Sequence, residues 1–195
     1  MTTHEHPTDA TTIVLLHSAL GLRPAIGRFA DQLRGHGHRV VTPDYYDGNV
    51  FDANGPGLAY RDDVGAPTLL KIVREQLTDV PENAVLAGFS LGAAFAQRLA
   101  TDRPEARAVI LLHSLGAPRG PWPGQPVQLH RYAADPFVDE ANVSALGEAV
   151  RASGASFEDF VTPGSGHLFT DTDLPGGDQA ATDRAVERIA ALLGN

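Results

Sequence analysis

Short apolar segments alternate along this chain with segments of helical periodicity, and this alternation restricts the possible folds more than any other feature. Residues 12–17 and 84–89 are continuously apolar, as in strands that are buried on both faces. Residues 24–35 instead place apolar side chains at helical spacing. About six such alternations predict an α/β fold, with a doubly wound, mostly parallel sheet and helices on both faces.

The predicted strands are residues 12–17, 39–42, 84–89, 108–113, 127–133 and 157–161, and the predicted helices are residues 24–35, 68–77, 91–100, 142–153 and 178–193. Residues 44–67 are rich in Gly, Asp, Asn and Tyr and predict a long loop with at most one turn of helix. Residues 116–126 are rich in Pro and Gly and predict a second loop. We expect a flexible N-terminus at residues 1–11 and one domain at residues 12–195, without a large cap domain.

The charge and composition of the chain argue against several classes of partner and of catalytic chemistry. The net charge of -9 argues against nucleic acid or an anionic membrane as a partner. The chain has no cysteine, which excludes disulfides and a thiol nucleophile. No run of about 18 apolar residues and no signal-peptide core is visible. These features predict a cytoplasmic protein. We expect it to be a monomer or a small homo-oligomer.

A G-x-S-x-G pattern, residues 88–92, stands between a predicted strand and a predicted helix. This context is typical of a nucleophile elbow, in which a sharp turn presents a serine hydroxyl above the sheet. Such a turn needs glycine on both sides, here Gly88 and Gly92, because side chains there would collide. The pattern makes Ser90 a candidate nucleophile and the N–H of Leu91 a candidate oxyanion donor. The alternative is that Ser90 only caps the following helix.

A serine nucleophile needs a base and an acid that orients the base, in the chain order Ser, Asp or Glu, His. His167 lies in a Gly-rich segment after the last predicted strand, and it is the only histidine beyond His130. Asp135 follows the strand at residues 127–133, although it could simply start a turn, in which case Asp139 is the next candidate acid. The other histidines are expected to be structural.

Several segments in sequence order resemble the dienelactone hydrolase family. They are residues 17–24 (HSALGLRP), 29–33 (FADQL), 37–44 (GHRVVTPD), 46–48 (YDG), 51–52 (FD), the elbow, 135–137 (DPF) and 164–169 (GSGHLF). The resemblance implies an α/β-hydrolase fold that acts on esters or lactones without a metal or cofactor. It also implies that the N–H of Ala19 is the second oxyanion donor.

The chain departs from the best-known members of that family at three positions. Ser90 replaces their cysteine nucleophile, and Ser18 stands where they have a glutamate that interacts with the thiol. Both changes favour an ordinary serine mechanism. Those members also have an arginine, four residues after the catalytic histidine, that binds the substrate carboxylate. This chain has Asp171 there, so an anionic dienelactone is not expected as substrate unless Arg23 or Arg61 replaces that arginine.

These observations together predict a serine hydrolase of carboxylic esters or lactones, with a small molecule as its partner and Ser90, His167 and Asp135 as the catalytic residues. The alternatives are a thioesterase or acyltransferase on the same triad, and a ligand-binding protein that has lost catalysis. The two long loops are expected to wall the substrate pocket. The residues expected to line it are Ser18, Tyr45, Phe51, Tyr60, Arg61 and Trp122.

Overall fold

Residues 10–194 of the chain are described by a computed structural model and form a six-stranded sheet with helices on both faces. The elements are β1 (Thr12–Leu16), α1 (Pro24–Gly35), β2 (Arg39–Val41), α2 (Asn54–Val64), α3 (Ala66–Gln76), β3 (Val85–Phe89), α4 (Leu91–Asp102), β4 (Val109–Leu112), β5 (Val127–Ala134), α5 (Glu140–Ala152), β6 (Phe157–Ser165) and α6 (Gln179–Leu193). All strand pairs are parallel, in the order β2-β1-β3-β4-β5-β6. The predicted doubly wound α/β fold is confirmed.

The sheet separates two apolar cores because successive side chains of a strand point to opposite faces. In β1, Val14 and Leu16 contribute to the core shared with α3, α4 and α5, whereas Ile13 and Leu15 contribute to the core shared with α1 and α6. The chain runs outward from β1 to β2 and then returns to β3 on the other side of β1. This reversal opens a crevice at the carboxyl ends of β1 and β3, where ligands bind in folds of this kind.

The segment at residues 44–67 differs from its prediction, because it contains the eleven-residue helix α2. Gly57 is the only buried residue of this helix, so the segment has no apolar stripe that would identify it. A long-range contact positions the helix instead. A Cβ atom on Gly57 would lie 2.2 Å from the backbone oxygen of Ala19, so only glycine permits this close approach.

Strand β6 and helix α5 are among the elements that extend beyond their predicted ends. Strand β6 continues to Ser165, which pairs with Ala134 of β5 after a register shift. Helix α5 begins at Glu140 because the side chain of Asp139 accepts a hydrogen bond from the N–H of Ala141. The longer β6 brings the chain directly up to His167.

Residues 10–194 contain no large cap domain, and none of their helices has the length and apolar character needed to cross a membrane. Of the segment predicted as a flexible N-terminus, residues 1–9 lie outside the described part of the chain.

Candidate active site

Ser90 occupies a strained turn between β3 and α4. Its φ of 51° lies in the left-handed region that L-residues seldom adopt. A Cβ atom on Gly88 would lie 2.2 Å from the backbone carbon of Gly92, and one on Gly92 would lie 2.3 Å from the backbone oxygen of Leu16. Neither position therefore tolerates a side chain, as the elbow pattern requires.

The hydroxyl of Ser90 does not cap α4. Its side chain makes no cap hydrogen bond, and its Oγ lies 2.8 Å from Nε2 of His167. The alternative interpretation of Ser90 as a helix cap is therefore wrong. The strained turn instead aims the hydroxyl at an imidazole that comes from the other end of the chain.

Asp135 holds the opposite side of the His167 ring. Nδ1 of His167 lies 2.8 Å from Oδ2 and 3.0 Å from Oδ1 of this carboxylate. The N–H of Phe137 donates a further hydrogen bond of 2.9 Å to Oδ1, so the buried carboxylate is fixed in place. With Nδ1–H donating to Asp135, Nε2 is free to accept the Ser90 proton. The structure thus brings together the three residues expected to form a triad, and Asp139 serves as the cap of α5.

Two rings pack around the imidazole of His167. The ring of Phe137 covers it at a centroid distance of 4.5 Å, and the ring of His113 meets it edge-on at 5.9 Å. Burial lowers the pKa of His113 well below its ordinary value, so the ring beside His167 stays neutral. The sequence predicts His113 to be a structural residue on a strand. It lies just after β4, and its Nε2 is 2.8 Å from Oγ1 of Thr170. Only its position at a strand end could have suggested a place beside the site.

The loop that carries Ala19, residues 17–21, is held on several sides. The N–H of Leu20 donates to Oγ of Ser18 at 3.1 Å, and the N–H of Phe51 donates to the oxygen of Leu20 at 2.9 Å. Gly57 of α2 packs against the oxygen of Ala19. These contacts hold the loop in place beside the elbow, where a Cβ atom on Gly92 would lie 2.5 Å from the backbone oxygen of His17.

His17 anchors the start of the same loop. Its ring stacks on that of Tyr45 at 3.7 Å, and its Nδ1 lies 2.8 Å from the oxygen of Ser18. The hydroxyl of Tyr45 donates to the backbone oxygen of His17. Burial lowers the pKa of His17 to about 4, so this anchor remains uncharged at neutral pH.

A cavity of about 690 Å³ opens between α3, α4 and the loop at residues 116–122. Two of the six expected pocket residues, Arg61 and Trp122, line it, and so does Leu91. The other four expected pocket residues, Ser18, Tyr45, Phe51 and Tyr60, do not line this cavity.

Their contacts explain why. Ser18 and Tyr45 are buried and use their hydroxyls to hold the loop at residues 17–21. The rings of Phe51 and Tyr60 pack against each other and against Tyr46, and the hydroxyl of Tyr60 lies 3.3 Å from the oxygen of Tyr46. These contacts give the four residues roles in packing, and their place in the substrate pocket stays a prediction.

Asp171 is also committed to a structural contact. Its buried carboxylate lies 2.7 Å from Nε of Arg23, whose Nη1 binds Asp52 at 2.7 Å and the oxygen of Phe51 at 3.0 Å. Arg23 therefore connects the loop after β1 to the segment after His167. Its guanidinium is thus engaged by two carboxylates.

Three buried histidines predict a strong dependence of stability on pH. Burial lowers the pKa of His17 to about 4, that of His130 to about 3 and that of His113 well below 6.5. On unfolding each regains its ordinary pKa near 6.5, so below that pH the unfolded chain binds up to three more protons than the folded one. Their stabilising contribution is complete above pH 6.5 and is lost as the pH falls toward 4. The free energy of unfolding should fall by up to about 4 kcal/mol per pH unit near pH 5.

Guanidinium chloride titrations at pH 8, 6 and 5 measure this slope. His130→Gln removes one of the three protons and should reduce the slope by about a third. An unfolding free energy that stays constant from pH 7 to pH 5 would show that these rings are not held neutral in the fold.

The parallel sheet, the serine elbow after β3 and the histidine and aspartate beyond the last strands form the arrangement of an α/β hydrolase. The chain belongs to the dienelactone hydrolase family, whose sequence model matches residues 1–195. It is therefore a hydrolase. No curated protein matches the sequence.

Solved structures share its fold at low sequence identity. A dienelactone hydrolase-like promiscuous phosphotriesterase, P91, from metagenomic libraries has a TM-score of 0.73 and 22% identity, over 97% of this chain and 88% of P91. A protein named m3DLH has a TM-score of 0.76 and 19% identity, over 97% and 88%. Thermogutta terrifontis esterase 2, phosphorylated by paraoxon, has a TM-score of 0.63 and 19% identity, over 96% and 83%.

Proposed function

We propose that the chain is a serine hydrolase that cleaves carboxylic esters or lactones through an acyl-enzyme on Ser90. The observation that carries the proposal is the continuous hydrogen-bonded path from Oγ of Ser90 through both ring nitrogens of His167 to Asp135. A hydroxyl is a weak nucleophile by itself, and this path supplies the base that activates it and the carboxylate that orients the base.

In the first half-reaction, Nε2 of His167 removes the proton of Ser90 as Oγ attacks the ester carbonyl. Asp135 stabilises the imidazolium that results, and the tetrahedral intermediate carries its charge on the former carbonyl oxygen. The imidazolium then gives its proton to the departing alkoxide, so that the alcohol leaves and the acyl group stays on Ser90. In a lactone both products stay in one molecule.

The N–H groups of Leu91 and Ala19 are the proposed donors to the oxyanion. Leu91 is the first residue of α4, so its N–H also lies at the positive end of the helix dipole. Each such donor contributes roughly 3 kcal/mol of transition-state stabilisation. In the second half-reaction water attacks the acyl-enzyme, with His167 again accepting the proton, and the acid is released.

A dienelactone with a carboxylate beside the ring is not the proposed substrate. Asp171 stands where the best-known family members bind the substrate carboxylate with an arginine, and Arg23 is already engaged by Asp171 and Asp52, so neither side chain offers a free positive charge to such an anion. Membership of the family and the esterases among the structural neighbours support ester hydrolysis in general.

The proposal is tested with a fluorophosphonate probe, followed by peptide mass spectrometry. A structural neighbour of this chain is an esterase phosphorylated by paraoxon, which supports the use of an organophosphorus probe here. The expected result is one label, on Ser90, in the native protein. Ser90→Ala should not be labelled, whereas Ser144→Ala, at an exposed position of α5, should be labelled like the native protein.

A folded protein whose Ser90 resists the probe would contradict the proposal and favour a non-catalytic, ligand-binding role. A labelled enzyme that transfers acyl groups to an alcohol or to coenzyme A faster than to water would instead be an acyltransferase.

A further inference from the structure

The cavity beside α4 has a charge opposite to that of the whole protein. It is lined by four arginines, Arg61, Arg74, Arg98 and Arg119, and by a single carboxylate, Asp62. The whole chain carries 15 basic and 24 acidic residues. About a quarter of the basic residues but only one acidic residue therefore line this one cavity, which we call the α4 groove.

Two of the four guanidinium groups have no counter-charge among the described residues. Arg61 pairs with Asp62 at 2.6 Å, and Arg74 pairs with Asp102 at 2.6 Å. Arg98 and Arg119 form no ion pair with any of residues 10–194. The groove therefore presents uncompensated positive charge, and guanidinium groups bind carboxylate and phosphate oxygens in a fork geometry.

The side chains of α4 that line the groove change from apolar to basic along the helix. One face of α4 contributes Leu91, Ala94, Arg98 and Thr101, which follow each other at helical spacing. Leu91, the residue after Ser90, lines the groove, and the side chains of α4 that line its first turn are apolar; Ser90 and His167 themselves are not part of the lining. Arg98 lies eight residues beyond Ser90, which corresponds to roughly 12 Å along the helix axis. Along α4, therefore, the apolar lining residues Leu91 and Ala94 are nearer to Ser90 in the chain than the guanidinium group of Arg98 is.

The opposite wall of the groove is held in place. The side chain of Gln97 donates to the oxygen of Gly116 at 2.9 Å and accepts from its N–H at 2.8 Å. Nε1 of Trp122 donates to the oxygen of Gln125 at 2.8 Å. The loop at residues 116–122 is thus tied to α4 by a double hydrogen bond, so little ordering is needed when a ligand binds.

We propose that the α4 groove binds the far end of the substrate and selects esters in which an apolar segment of about two helical turns in length separates the scissile carbonyl from a terminal anion. The anion is a carboxylate or a phosphate, whose chemistry Arg98 and Arg119 share. This inference rests on the proposed function and specifies its substrate class.

Matched substrates test the selection. The mono-p-nitrophenyl ester of decanedioic acid carries the terminal anion. Its analogue methylated at the far end is neutral, and an analogue with a terminal trimethylammonium group is cationic. We expect kcat/KM to be at least about tenfold higher for the anion than for the neutral ester, and lowest for the cation. Because the attraction is electrostatic, the ratio should shrink as ionic strength rises. A terminal phosphonate analogue shows which anion is preferred, and a parallel series places the anion on the alcohol side.

Arg98→Gln combined with Arg119→Gln should bring the ratio of anionic to neutral ester close to one. Arg39→Gln combined with Arg184→Gln is the matched control, since it removes the same charge from exposed positions outside the groove and should keep the ratio. Equal kcat/KM for the anionic and neutral esters in both series, in an enzyme labelled at Ser90, would overturn the groove inference and leave the proposed function intact. Failure of labelling and of all turnover would overturn both.

Discussion

Replacing Ser90 with alanine is expected to lower kcat for p-nitrophenyl acetate by roughly 10⁴- to 10⁶-fold. The hydroxyl lies 2.8 Å from Nε2 of His167, and in the proposed mechanism no acyl-enzyme can form without it. The oxyanion donors and the binding site remain in place, so a small residual rate above that of water should persist. Steady-state release of p-nitrophenol measures the effect.

The fold should survive this change, because alanine removes only one atom. Ser90 already adopts a φ of 51°, and the variant keeps this strained turn. A thermal melting curve measures any change in stability. Ser144→Ala, on the exposed face of α5, should retain native turnover. Native turnover by the Ser90 variant would exclude Ser90 as nucleophile.

Replacing Asp135 with asparagine is expected to lower kcat by about 10⁴-fold, with KM little changed. The carboxylate accepts a hydrogen bond from Nδ1 of His167, which keeps Nε2 ready to receive the Ser90 proton. The asparagine amide has the same shape, but it can donate to Nδ1 and hold the ring in the wrong tautomer. It also carries no charge with which to stabilise the imidazolium.

Asp139→Asn is the matched control for this substitution. Asp139 lies four residues further along and caps α5, and asparagine is an equally good cap. We expect this variant to keep native kcat and native stability. A loss of activity in Asp139→Asn together with native activity in Asp135→Asn would reverse the assignment of the two carboxylates.

Features that depend on near neighbours in sequence could be predicted well. The apolar run before Ser90, the helical pattern after it and the glycines on both sides are consequences of one tight turn, and the structure shows each of them. The places of Asp135 and His167 were also predictable, because parallel strands end at one edge of the sheet and the residues that follow them meet there.

Features that depend on distant contacts could not be predicted in the same way. Helix α2 has no apolar stripe, and what positions it is the space that Gly57 leaves for the oxygen of Ala19. Tyr45 resembles a pocket aromatic in the sequence, yet it stacks on His17 inside the core. In the sequence, Asp171 indicates only that the carboxylate-binding arginine of the best-known family members is absent. Its pairing with Arg23 could not be predicted, because the two residues are 148 positions apart in the chain.

Local pattern thus specified the sheet, the elbow and the identity of the three candidate catalytic residues, since strand periodicity and turn sterics act over a few bonds. Tertiary packing alone decided which polar groups became buried and which arginines gathered in the α4 groove. Burial and charge clustering depend on segments that meet only after the chain has folded. For that reason the candidate chemistry could be predicted from residue order, whereas the shape and charge of the groove that would select its substrate required the three-dimensional arrangement.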